Sequence, residues 1–398
     1  MSAPLRLPPP SGGRVDVLIV AGEHSGDEHA ARMVRELRAK QPGLTVAALG
    51  GPELAGAEAQ LLYDLTASSV VGFVEVLKNL SNFRALFCDT LRWIAEHQPR
   101  VVCLVDYPGF NLRLAAELRK RGLSVKGGGK TKVVYYISTQ IWAWKAGRRF
   151  PMARDLDAMA VIFPFEVACY TDTTLPVEFV GHPFVAPDYV SPVRYDPAGP
   201  VLLLPGSRQQ AVARIFPVLL GGFQAFGGRE AVVLYPSDKI HRALMATNPP
   251  ANVRLERIPE GRARPLGAPG ESGRPGGPSL PLIKASAVLT SSGTMSMHCA
   301  LAGIPGAIAY RTNPLTYLLA RWWVKIDYIG IANLLLKEAM YPEFIQGAAT
   351  PRALAAELRA CLTDPARRAR TTEQAARLRS LLSQPTGGTA ADWLARQL

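Results

Sequence analysis

The chain has 398 residues, 48% of them hydrophobic, with 45 Lys+Arg against 32 Asp+Glu and a net charge of +13. That is enough for two α/β domains with sizeable cores, and a basic surface favours anionic partners: nucleic acid, acidic lipid headgroups or phosphorylated substrates. No aromatic-interleaved basic stripe is present, so nucleic acid is not the expected partner. Five unclustered cysteines, Cys88, Cys103, Cys169, Cys299 and Cys361, exclude a disulfide scaffold or a cysteine zinc site and fit a reducing cytoplasm.

Residues 1–13 read as a loose tail without a signal-peptide apolar region. Strands are expected at Val15–Val20, Thr45–Leu49, Val101–Val105, Val133–Ile137 and Met159–Phe163. Helices are expected at about 28–40, 80–97, 112–121 and 165–170. This alternation predicts a parallel sheet with helices on both faces, over residues 14–190. Prolines 183, 187, 192, 197 and 200 mark a linker. A second α/β series follows over 191–345: Val201–Leu204, Ala231–Tyr235, Val253–Glu256, Ala285–Leu289 and Gly306–Tyr310. The Gly/Pro/Arg-rich stretch 259–281 reads as an exposed, mobile insertion, and 346–398 as two or three polar helices. Arg367–Arg370 and Arg377–Arg379 read as a solvated helix face. The uncharged run Ala285–Tyr310 contains Ser-Ser-Gly-Thr, His298 and Gly-Ile-Pro-Gly306, so it reads as strand–loop–helix–loop–strand rather than a membrane span.

Ligands of parallel sheets bind beyond the C-terminal ends of strands, so residues just after each strand are the candidates. After the first strand comes Gly22-Glu-His-Ser-Gly-Asp27. Its acids Glu23 and Asp27, with Ser25 and Gly26, suit sugar hydroxyls better than phosphate, though Ser25 or Asp27 equally suits a helix N-cap. Asp106 directly follows Val101–Val105 and suits taking a proton from an attacking hydroxyl, or an Asx turn ahead of Pro108. Gln140-Ile-Trp-Ala-Trp144, with Arg148 and Arg149 behind it, suits stacking on a sugar or packing at a domain interface. In the second half, Leu204-Pro-Gly-Ser-Arg208 and Ser291-Ser-Gly-Thr294 each join a strand to a helix. Gly206, Ser207, Arg208, Ser292, Gly293 and Thr294 therefore point N–H groups, helix dipoles and a cation at phosphate. Either loop alone equally fits an ordinary strand–turn–helix junction, whereas two together suggest a nucleotide diphosphate. The apolar segments Val70–Phe87 and Pro314–Val324 suit either core packing or a lipid interface.

Together these motifs resemble those of the lipid-A-disaccharide synthase family, from about Val15 to the C-terminal helices. The resemblance also rests on Val71-Gly-Phe-Val-Glu-Val-Leu77, Asp106-Tyr-Pro-Gly-Phe-Asn111, Phe163-Pro-Phe-Glu166, Gly181-His-Pro183, Val324-Lys-Ile-Asp-Tyr328 and Pro342-Glu-Phe-Ile-Gln346. It implies the GT-B architecture: two Rossmann-like domains facing across a cleft, with C-terminal helices packing back toward the first. It implies an inverting transfer from UDP-2,3-diacylglucosamine to the 6-hydroxyl of 2,3-diacylglucosamine 1-phosphate (lipid X). The products are the β-1,6 disaccharide 1-phosphate and UDP, with no metal or other cofactor. Asp106 would be the base and Arg208 would neutralise the leaving group. His298, Asn333 and Gln346 would join the donor site, and Asn111, Gln140 and Trp142 the acceptor side. The resemblance further implies a peripheral place on the cytoplasmic face of the inner membrane and leaves room for a homodimer. The family usually has Glu where this chain has His298 and Ala211, an acid where it has Ala186, and Pro where it has Thr139. The segment Leu334–Ala339 also departs. Two alternatives stay open on these departures: another UDP-sugar enzyme of the same architecture, and a non-catalytic or substrate-shifted paralogue that binds a UDP-sugar or glycolipid.

Overall fold

The computed structural model describes residues 6–69, 80–258, 282–313, 317 and 327–398. The motif at Val71–Leu77, the 259–281 insertion and most of the 314–324 apolar segment lie outside them. The chain divides into two compact units: Met1–Pro183 with Gln384–Leu398, and Phe184–Ser383. The division falls at the front of the proline-rich stretch, so residues 184–200 go with the second unit.

The first unit runs β1 Val17–Ala21, α1 His24–Lys40, β2 Val46–Gly50, α2 Pro52–Gly56, β3 Gln60–Asp64, α3 Thr66–Ser69, α4 Leu80–His97, β4 Val101–Val105, α5 Pro108–Lys120, β5 Lys132–Tyr136, α6 Arg149–Asp155, β6 Ala158–Val161 and β7 Val177–Phe179. The described strands form one sheet in the order β3-β2-β1-β4-β5-β6-β7, and the pairings are parallel. β1 (VLIVA) and β4 (VVCLV) are buried along their whole length, as strands covered on both faces must be. The two-residue period sorts their side chains. Leu18, Val20, Val102 and Leu104 pack with Leu91 and Ile94 of α4 and with Phe110, Leu114 and Leu118 of α5. Val17, Ile19, Val101, Cys103 and Val105 pack with Ala30, Val34 and Leu37 of α1. Phe83 and Phe87, at the end of the 70–87 apolar segment, meet Phe110 edge-on at 5.4 and 5.3 Å and are therefore core-packed.

The second unit runs β8 Val193–Tyr195, β9 Val201–Leu204, α7 Gln209–Phe226, β10 Ala231–Tyr235, α8 Asp238–Met245, β11 Val253–Arg257, β12 Ile283–Ala285, β13 Ala287–Thr290, α9 Thr294–Leu301, β14 Gly306–Tyr310, α10 Ile331–Leu336, β15 Glu343–Ile345, α11 Pro351–Thr363 and α12 Pro365–Leu382. Its described strands form a parallel sheet in the order β11-β10-β9-β13-β14-β15, with β8 and β12 paired separately. The expected strand Ala285–Leu289 is thus split at Ser286, whose N–H donates to Pro200 O. Val201, Leu203, Ala287 and Leu289 face Phe216, Leu219 and Phe223 of α7 and Leu354 and Leu358 of α11.

The C-terminal helices divide between the units. α11 and α12 belong to the second. Only α13, Ala390–Ala395, returns to the first, where Trp393 and Leu394 join the core beneath α1. Arg367 is a correction to the solvated-face expectation. It is 3% exposed, pairs with Glu357 at 2.9 Å and donates to Gly306 O and Met340 O, both at 3.0 Å. A guanidinium has enough donors to tie two helices to a strand start, and burial demands that they be used.

Candidate active site

In an open parallel sheet the strand order reverses at one point, and a crevice opens there beyond the C-terminal strand ends. In the first unit that point lies between β1 and β4. The loops that leave it are the two singled out in the sequence: Gly22–Asp27 and Asp106–Asn111. A Cβ on Gly22 would come within 2.2 Å of the Tyr107 ring, so only glycine lets these loops meet. Asp106 and Tyr107 both have left-handed backbone, with φ +44° and +51°, as do Ile137 (+66°) and Lys145 (+54°) further along the same edge. Such conformations are costly for non-glycine residues and collect at functional sites.

The Asp106 turn is clamped. Its N–H donates to Tyr136 O at 3.0 Å. Its carbonyl accepts from Asn111 Nδ2 at 2.8 Å and from the Tyr135 hydroxyl at 2.5 Å. Asn111 also holds Val20 O and Val105 O, so its amide fixes both loops rather than presenting donors to a ligand. Asp106 itself is half-buried. Three buried polar atoms without a hydrogen-bond partner lie at this edge: His24 Nε2, Asn111 Oδ1 and Thr139 Oγ1. Buried unpartnered polar atoms are rare and mark places where a ligand or water completes the network.

Glu166 stands out in the sequence only as the end of the Phe163-Pro-Phe-Glu166 motif. It is 2% exposed. Its carboxylate accepts from Phe163 N at 3.2 Å and from Trp142 Nε1 at 3.4 Å. Burial, and secondarily the charge of Asp106, pushes its carboxyl up to about 8 against the lowering effect of those bonds. It is therefore largely a neutral acid near pH 7. Trp142, half-buried, meets Phe165 edge-on at 5.5 Å. Gln140 is exposed, its carbonyl turning the chain by accepting from Ala143 N and Trp144 N.

Of the acidic loop, Glu23 is half-buried and is the α1 N-cap residue, in place of Ser25 or Asp27. Ser25 is half-buried and Gly26 buried. Asp27 is placed otherwise than expected: 1% exposed, it accepts from Gly51 N at 2.8 Å and Glu53 N at 2.9 Å. Its carboxylate ties α1 to the start of α2 and is not presented to a sugar.

In the second unit the reversal lies between β9 and β13. The loops there are Leu204–Arg208 and Ser291–Thr294. They touch: Gly206, with φ +103°, would place a Cβ 3.3 Å from Ser291 Oγ. α7 follows Arg208 and α9 follows Gly293, and neither helix has a side-chain cap. Two helix N-termini with uncapped N–H groups thus stand side by side, and their dipoles favour an anion. Ser207, Arg208, Gly293 and Thr294 are exposed and Ser292 half-exposed.

The remaining expected donor residues have partners within the second unit. His298 is 6% exposed. Its ring stacks on Phe184 at 3.9 Å between centroids, and Tyr189 Oη lies 3.3 Å from Nε2. Asn333 is fully buried. Its amide donates to Tyr341 O and Glu343 Oε1 and accepts from Tyr341 N, so it shapes the 329–343 loop instead of offering a hand to a ligand. Gln346 brackets Thr312, accepting from its N–H and donating to its carbonyl. Ala211 packs against the core of this unit.

Solved structures with the same arrangement define the class. A UDP-GlcNAc 2-epimerase from Neisseria meningitidis superposes with TM-score 0.58 at 12% identity, covering 96% of this chain and 98% of its own. A spinosyn rhamnosyltransferase superposes with TM-score 0.53 at 15% identity, covering 96% and 99%. The fold is the GT-B architecture of two Rossmann-like domains. Sequence then sets the family. The family described as lipid-A-disaccharide synthetase matches residues 17–394. The lipid-A-disaccharide synthase of Geobacter metallireducens is 35% identical over 388 residues, covering 92% of each chain. The chain belongs to the lipid-A-disaccharide synthase family and is a glycosyltransferase of lipid A biosynthesis. None of these likenesses favours a non-catalytic paralogue.

Proposed function

We propose that the chain transfers the sugar of UDP-2,3-diacylglucosamine to the 6-hydroxyl of 2,3-diacylglucosamine 1-phosphate, with inversion to a β linkage. The first unit's sheet edge takes the acceptor and the second unit's edge takes the donor. Asp106 accepts the hydroxyl proton as the new C–O bond forms. Asn111 and Tyr135 hold its backbone, so the base is positioned before substrate arrives. Arg208 and the N–H groups opening α7 and α9 stabilise the charge that develops on departing UDP. The observation that carries this reading is that each sheet's reversal point bears one of the two required chemistries: an Asp on a clamped turn in one, paired helix N-termini in the other.

Acylated substrates suit an enzyme at a membrane surface, and we infer the cytoplasmic face of the inner membrane. The net charge of +13 suits an anionic leaflet. Among the described residues no helix is long and apolar enough to cross a membrane, so the attachment we infer is peripheral. The purified protein is expected to form a β-linked disaccharide from the two substrates, read by mass and anomeric coupling constant. An α-linked product, or none from protein that binds UDP, would contradict the assignment.

A further inference from the structure

We propose that Lys145 and Arg148, braced on the Trp144 ring, form a subsite for the phosphate carried by the acceptor. This inference rests on the reading of the first unit's edge as the acceptor side.

The observation behind it is an imbalance of charge. Residues 145–154 carry Lys145, Arg148, Arg149 and Arg154. Two are neutralised within the fold: Arg149 donates to Asp172 from both Nε and Nη2, and Arg154 pairs with Asp155 at 2.8 Å. The other two meet no carboxylate among the described residues. Instead Lys145 Nζ stands 4.5 Å, and Arg148 Cζ 4.8 Å, from the centre of the Trp144 ring. The ring is 41% exposed, so both cations are held in place yet open to solvent. A cation–π contact orients a charge without cancelling it, which a salt bridge would do.

The location is also specific. The segment leaves the C-terminal end of β5, the strand next to β4 and its Asp106. Lys145 has left-handed backbone, φ +54°, so the turn that sets the pair is itself strained into shape. Arg148's charge reaches the Tyr135 phenol, whose proton burial and Asp106 hold on and Arg148 helps release. That same hydroxyl supports the Asp106 carbonyl. Arg148 therefore lies within electrostatic reach of the hydroxyl that braces the proposed base, and Lys145 shares its Trp144 ring. The anomeric phosphate and the 6-hydroxyl are borne on the two carbons that flank the ring oxygen of one hexose, so an acceptor held at both would be fixed in orientation. A planar guanidinium and a mobile ammonium together suit a phosphate monoester.

The test compares 2,3-diacylglucosamine with and without its 1-phosphate as acceptor, for wild type, Arg148→Ala, Lys145→Ala and Arg148→Lys. Wild type is expected to favour the phosphorylated acceptor. Arg148→Ala should raise KM for that acceptor on the order of tenfold to a hundredfold, leave the donor KM unchanged and largely erase the preference between acceptors. Lys145→Ala should do the same to a smaller degree, and Arg148→Lys should restore part of the preference. Equal losses with both acceptors would overturn the subsite. So would unchanged acceptor kinetics with weakened binding to vesicles of phosphatidylglycerol and phosphatidylcholine, which would make the patch a bilayer contact. Absence of any product from wild type would instead overturn the proposed reaction itself. Thermal unfolding of each variant separates these results from misfolding.

Discussion

The two sheet edges share a topology and differ in almost everything chemical. From the β1/β4 reversal along the edge to β6 the chain supplies carboxyl groups, aromatic rings and strained backbone: Asp106, Glu166, Trp142 and a run of left-handed residues. At the β9/β13 reversal it supplies glycine, serine and the N-termini of α7 and α9. The first arrangement suits moving a proton from a polyol, and the second suits holding a diphosphate. The architecture fixes where a ligand sits, and the few residues after each strand decide what can be done with it.

Substitutions at the two edges should therefore have opposite signatures. Asp106→Asn is expected to lower kcat by about 10²–10⁴-fold, the usual range for a general base, with UDP affinity unchanged by calorimetry. Arg367→Ala is the control that lies at neither edge. It strands Glu357 and two carbonyls, and should cost about 3–5 kcal/mol of stability in denaturant unfolding, without changing the ratio of donor to acceptor KM in the protein that stays folded. Arg208→Ala should lower kcat by about 10²–10³-fold through lost stabilisation of the leaving group and, unlike Asp106→Asn, weaken UDP binding as well. Gly206→Ala forces a side chain into a left-handed turn against Ser291 Oγ. A loss of about 1–2 kcal/mol is expected, together with poorer UDP affinity.

Glu166 gives an effect that is read in pH dependence. Its folded carboxyl titrates near 8 instead of near 4.5 because burial disfavours the charge. Between those values the folded state binds the proton that the unfolded state has lost, so stability falls as pH rises from about 4.5 to about 8. Glu166→Gln should flatten that slope in thermal unfolding measured across the window. An unchanged slope would mean that Glu166 is ionised in the fold, and that the two edges are less different than they look.

Much of this organisation was legible in the chain. Val101–Val105, Val201–Leu204, Ala231–Tyr235 and Gly306–Tyr310 are strands at the bounds that their apolar runs predict. Long buried strands announce themselves. β3, β7, β8, β12 and β15 did not, because short, partly exposed edge strands carry no continuous apolar run. The loops that follow strands were legible for the same reason as the strands. Side-chain commitments were not. Asp27, Asn333 and Gln346 look like ligand residues in sequence, but their partners lie 8 to 34 positions away. His298 is packed by Phe184 and Tyr189 from a stretch that reads only as linker. Arg367 has the sequence context of a surface arginine, and only the approach of β14 shows that it is buried.

The proposed division of labour puts the base in the first unit and the diphosphate site in the second. One paired measurement tests it most directly: UDP affinity and single-turnover rate for Asp106→Asn beside wild type. The account predicts equal UDP affinity with a turnover at least about a hundredfold slower. Near-normal turnover, or loss of UDP binding along with it, would contradict that division of labour.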